Sequence, residues 1–140
     1  MGLDMYAYAV NKKLMGDSEI DINTDTLITK AKANGIKGEP NDVNTDFDYW
    51  RKFNNLHGWM ERLYRSKGGT KEFNCVGVVV NAEDLKKLRE DAATLEPTSG
   101  FFFGQCSPMT AEDVQEVNAF CDKAEKAIAD GYVIVYDSWW

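Results

Sequence analysis

The sequence predicts an α+β fold: a single domain in which a mostly antiparallel sheet of four or more strands packs with about three helices. Three observations predict it. Alternating segments stand near both ends of the chain, amphipathic helical stretches lie between them, and the outermost strands mix polar with apolar faces, as antiparallel sheets do. A chain of 140 residues is long enough for one real core and too short for a catalytic domain plus a separate partner module.

From Leu3 to Val10, Leu3, Met5, Ala7 and Ala9 point one way and Asp4, Tyr6 and Tyr8 the other, the period-two pattern of a strand with one buried face. Residues 11 to 47 are poor in large apolar groups and rich in Asp, Asn, Thr and Gly, so they read as a long excursion with a short element near Leu27 to Ala33. A connection of that length points to a lid, a binding loop or an oligomer contact. Asp46 or Asp48 then caps a helix running to about Arg65, with Phe53, Leu56, Met60, Leu63 and Tyr64 as its apolar arc. Gly68-Gly69 breaks it, and Phe73 to Val80 supplies a Val-rich strand. Asn81 with Asp84 opens a second helix carrying Leu85, Leu88, Ala92 and Leu95, which Pro97 and Gly100 end. Phe101 to Phe103 suits a strand. Thr110 opens a third helix with Val114, Val117, Cys121, Ala124 and Ile128 on one face, and after Gly131 the segment Tyr132 to Tyr136 alternates as a final strand.

Charge narrows the functional classes. With 16 basic and 23 acidic residues the net charge is -7, so nucleic acid is not an expected partner. Cys75, Cys106 and Cys121 are odd in number and share no CxxC spacing, which argues for reduced cysteines, with Cys121 packed in a helix face. The N-terminal residues lack a basic segment followed by an apolar run, and no stretch is apolar enough to span a bilayer, so neither secretion nor a membrane partner is expected.

His57 is the sole histidine. On a helix it shares a stripe with Trp50, Asn54 and Glu61 at the shoulder between core and surface. Such a stripe suits two roles. It can be a structural network in which Asn54 and a backbone carbonyl satisfy the imidazole, or a site in which Trp50 stacks on a flat ligand and Arg51 holds a carboxylate or phosphate. Tyr6 and Tyr136 complete the candidate ligand-binding set of Trp50, Arg51, Asn54 and His57. Catalysis would need a reactive partner for His57, and Asp4 and Glu61 are the acidic candidates, Cys75, Cys106, Ser99 and Ser107 the nucleophilic ones. Trp59 falls on nearly the opposite side and reads as packing. One His without paired cysteines excludes the familiar zinc arrangements. Asp21, Asn23 and Asp25 imitate the start of a calcium loop, but Thr26 and Lys32 stand where it needs Gly and Glu. No metal and no cofactor is implied. Trp139 and Trp140, at the chain end, are candidates for packing or for an interface with a partner or a second copy.

The Met1-Gly2-Leu3-Asp4-Met5-Tyr6 opening, Tyr49-Trp50-Arg51-Lys52 with Asn54, His57 and Trp59, the run Ser99-Gly100-Phe101-Phe102-Phe103-Gly104, and Tyr136 with Ser138-Trp139 resemble a family of small uncharacterised bacteriophage and prophage proteins. The resemblance spans the domain, with residues 11 to 47 the least comparable part. It implies an accessory protein acting in the host cell cytoplasm, in host takeover or counter-defence, and carries no established activity. The residues themselves favour a binding protein for a nucleotide-like or other planar small ligand. The alternatives are an inhibitor or adaptor that grips a host protein through exposed aromatics, and a small hydrolase or transferase built on His57.

Overall fold

Alternation sets the first strand. Along β1 (Asp4–Asn11) Met5, Ala7 and Ala9 turn into the core while Asp4, Tyr6 and Tyr8 stay partly exposed. The computed structural model describes residues 2–33, 43–95 and 108–140; the strand expected at Phe101 to Phe103, with Ser99, Cys106 and Ser107, lies outside the described residues. After β1 come a 3-10 turn at Lys12–Leu14, α1 (Thr24–Ala33), β2 (Val43–Arg51), α2 (Asn54–Ser66), β3 (Val78–Val80), α3 (Ala82–Asp91), α4 (Ala111–Ala129) and β4 (Tyr132–Trp139). The strands form one sheet in the order β2-β1-β4-β3, with every neighbouring pair antiparallel. The architecture is the α+β domain expected from the sequence, with four α-helices among the described residues in place of about three.

Local chemistry explains the helix ends. Asn81 and Asp84 form a reciprocal capping box at the start of α3, and Thr110 and Asp113 form another at α4. Between residues 43 and 54 the expectation changes. In place of a helix beginning at Asp46 or Asp48, the chain runs as the edge strand β2, and α2 begins only at Asn54. A bulge is the reason: Ala7 pairs with Asp48 but Ala9 with Asn44, so β2 carries extra residues there. The bulge turns both Phe47 and Trp50 inward, three residues apart, and that spacing imitates a helix.

The described part of the excursion, residues 11–33 and 43–47, holds more regular structure than its composition suggests. Besides α1, it holds a stretch laid along the edge of β3, where Ile22 and Gly77 exchange both backbone hydrogen bonds at 3.0 Å and the Val79 amide donates to the Glu19 carbonyl at 2.8 Å. A Cβ at Gly77 would sit 2.7 Å from the Ile22 oxygen, so this close approach requires glycine. Lys67 fastens the stretch, its Nζ donating to Glu19, Asp84 and the Val79 carbonyl. On the opposite margin β2 is capped by side chains: the Asp46 amide donates to Asn44 Oδ1, the Tyr49 amide to Asp48 Oδ1, and Lys123 Nζ to the Phe47 carbonyl.

Directly opposed residues of antiparallel strands share a face, so the register sorts the sheet into two sides. Met5, Ala7, Trp50, Val78, Ile134 and Tyr136 lie beneath α2, α3 and α4, in a core with Leu56, Met60, Leu85, Leu88 and Phe120. On the other side Leu27 of α1 packs with Val10, Val79 and Val135, and Tyr8, Ile22, Val43 and Val133 are partly buried against that cluster. Beyond that cluster, among the described residues, no helix covers the sheet, and Tyr49 and Trp139 are exposed there. Among the described residues no helix is long and apolar enough to cross a membrane.

Candidate functional site

His57 sits in the first turns of α2 and points into the core, where only 1% of its surface is exposed. Its Nδ1 lies 2.6 Å from the Tyr136 hydroxyl, and its ring packs on Phe73 at 5.1 Å between centroids. Burial lowers the imidazole pKa to about 4 and raises the Tyr136 phenol well above its ordinary value. Both groups are therefore neutral at pH 7, and the tautomer decides which of them donates. Of the expected acids, Asp4 is on the opposite side of the sheet, its carboxylate accepting from the Tyr49 hydroxyl at 2.6 Å, while Glu61 pairs with Arg65 at 3.6 Å and adds its charge to the burial that raises the Tyr136 phenol.

The other candidates fall into two places. Trp50, Arg51 and Asn54 line a shallow cleft of about 410 Å³ where the end of β2, the start of α2 and the first turns of α4 meet, together with Tyr49, Lys52, Asp113 and Glu116. Within it Trp50 and Asn54 are buried, and Trp50 meets Phe120 edge-on with ring centroids 5.0 Å apart. Strand alternation makes Tyr49 the open ring instead, 52% exposed, and leaves Arg51 and Lys52 exposed beside it. Lys52 adopts a left-handed conformation, φ 55°, held by its amide donating to the Leu3 carbonyl at 2.8 Å. That residue turns the chain sharply from β2 into α2, whose N-cap is Phe53, a residue with no capping side chain.

Tyr6 belongs to the open half of the outer face. The register places Tyr49 and Asp137 on either side of it, and in the next row Arg51 and Trp139 flank Asp4. Tyr6 stacks with Tyr8 at 6.2 Å and tilts against Tyr49 at 5.3 Å. Trp139 is 64% exposed. Trp140 is instead tied down, its indole donating to the Phe73 carbonyl at 2.8 Å and its backbone exchanging two bonds with Asn74. Trp59 packs away as expected, its indole nitrogen donating to Asp91 Oδ2 at 3.1 Å.

Several singled-out side chains have structural tasks. Asp21 accepts from the Tyr64 hydroxyl at 2.6 Å and Asn23 accepts from the Thr26 amide in the first turn of α1. Cys121 is buried against α3, where desolvation raises its thiol to about 11, and Cys75 is exposed. Sequence reasoning did not single out Tyr49, Tyr8 or Asp137. Carrying the alternation of the last strand on to residue 139 finds Asp137 beside Tyr6, whereas the bulge in β2 hides Tyr49.

The fold and these surfaces define a small sheet-and-helix domain with an aromatic face and a cleft of mixed charge, in which Arg51 and Lys52 stand across from Asp113 and Glu116. No family model, no curated protein and no solved structure matches the chain.

Proposed function

We propose that this chain is a binding protein for a planar, anionic small molecule of the nucleotide-like class. The observation that carries the reading is the convergence of Tyr49, Arg51 and Lys52 on one cleft at the start of α2. Each contributes a different term. The half-exposed Tyr49 ring offers a stacking surface, the Arg51 guanidinium offers a planar fork to a phosphate or carboxylate, and the positive end of the α2 dipole favours negative charge nearby. Across the cleft, Glu116 supplies a carboxylate that can accept from exocyclic amino groups of a base. His57 has no direct contact in this reading and supports α2 from beneath. The resemblance to phage-encoded proteins suggests that the ligand would be a metabolite or signal captured during host takeover or counter-defence.

Native mass spectrometry of protein purified from expressing cells tests the reading. The expected result is a small-molecule mass released on denaturation, and a titration with that compound in which Arg51→Ala weakens binding by roughly tenfold or more. Bare protein, together with no saturable binding across a panel of purine and pyrimidine nucleotides, would overturn it.

A further inference from the structure

The open half of the outer sheet face is a second, more acidic surface. Its centre is Tyr6, with Asp4 and Tyr8 in neighbouring rows of its own strand and Tyr49 and Asp137 directly across on the flanking strands. Trp139 stands beside Asp4 and projects into solvent. Among the described residues, none of the ion pairs includes Asp4, Asp25 or Asp137. Asp137 is partly buried and receives only neutral donors, the Thr24 hydroxyl at 2.9 Å and the Ser138 amide at 2.8 Å. The face thus joins electron-rich rings to carboxylates that form no ion pair among the described residues.

We infer that this face docks a partner polypeptide by taking an arginine side chain over the Tyr6 ring, between Asp4 and Asp137. A guanidinium suits the place better than an ammonium, because it stacks flat on an aromatic ring while its edge donates to a carboxylate. A polypeptide suits it better than a small cation, because the face is flat and small ligands bind where walls enclose them. The local field agrees: burial, and after it the charges of Asp4 and Asp137, push the Tyr6 phenol up, and Asp137 and Asp25 add to the burial that takes Tyr8 to about 12. A second copy of the chain is a poor occupant, since two such faces would bring like carboxylates together. Arg51 at the corner is the one cation in this grid and opposes the incoming charge.

The test is a nuclear magnetic resonance titration of the whole chain with a short arginine-containing peptide and its citrulline counterpart, which keeps the shape and removes the charge. The expected result is saturable shifts confined to Tyr6, Tyr49, Asp137 and the Trp139 indole, with the citrulline peptide bound at least about tenfold more weakly. Trp139→Ser, at an exposed position, and Asp4→Asn should each weaken binding severalfold. Arg51→Ala should strengthen it while weakening any anion in the neighbouring cleft, so the two surfaces fail or succeed separately. Equal binding of the citrulline peptide, shifts spread over the whole acidic surface, or concentration-dependent self-association moving the same resonances would each overturn the inference.

Discussion

The two faces of the sheet use the same residue types for opposite ends. Tyr136 and Tyr6 lie on adjacent antiparallel strands, yet one is sealed against His57 and Phe73 and the other is ringed by Asp4, Tyr49 and Asp137 at the surface. Strand parity makes the difference. Ala7 is the register partner of Tyr136, so Tyr136 faces the helices, and its neighbour Asp137 faces away with Tyr6. Chemistry follows from that sorting: on the dry side His57 and Tyr136 are held neutral, and on the other side the Tyr49 and Trp139 rings stay available to solvent.

The strongest way to break the contrast is His57→Ala. It opens a void in the main core and strips the Tyr136 hydroxyl of its partner, so a loss of about 3 kcal/mol is expected in urea unfolding. Unchanged stability would show that the imidazole is not part of the core network.

Acid titration sharpens the contrast, because the two sides respond with opposite sign. For His57 the folded pKa of about 4 lies below its unfolded value near 6.5, so the unfolded chain takes up the proton first. Its neutrality is fully compatible with folding above about pH 6.5, and stability falls by on the order of 3 kcal/mol as pH drops through the interval toward 4. Burial holds Asp137 above the ordinary carboxylate value, so its contribution is present below its unfolded pKa and is lost as pH rises through its folded one. Unfolding free energies between pH 4 and 7, compared for the wild-type chain and Asp137→Asn, check both signs: the variant should show the steeper acid loss. A shallower loss in the variant would contradict the assignment.

The smallest effect is expected from Trp139→Ser. With most of the indole in water, thermal unfolding should change by no more than about 0.5 kcal/mol. A larger loss would mean that the open face is part of the fold's support.

What the sequence made legible tracks the range of the interactions involved. The capping boxes at Asn81 and Thr110 act over three residues, and the starts of α3 and α4 could be read from them. Alternation in β1 and β4 was legible for the same reason. In β2 the bulge broke the period and spaced Phe47 and Trp50 like a helix, so the strand, and with it the outward turn of Tyr49, was hidden. The His57 stripe was visible as a helix face, but its environment depends on Tyr136, 79 positions away along the chain. Local spacing carries no information about such a partner, and it therefore could not separate a dry imidazole from a ligand-facing one.

The capped margin of β2 has a consequence for the molecule in a crowded cell. A protein that shows bare rings on a flat surface invites its copies to stack, and an unguarded edge strand would let such encounters mature into continuous cross-β growth. Here the last strand spends amides at Asp46 and Tyr49 and the carbonyl at Phe47 on its own side chains and on Lys123. Strand addition at that margin is thereby disfavoured, and the exposed rings are kept apart from the route to a fibril.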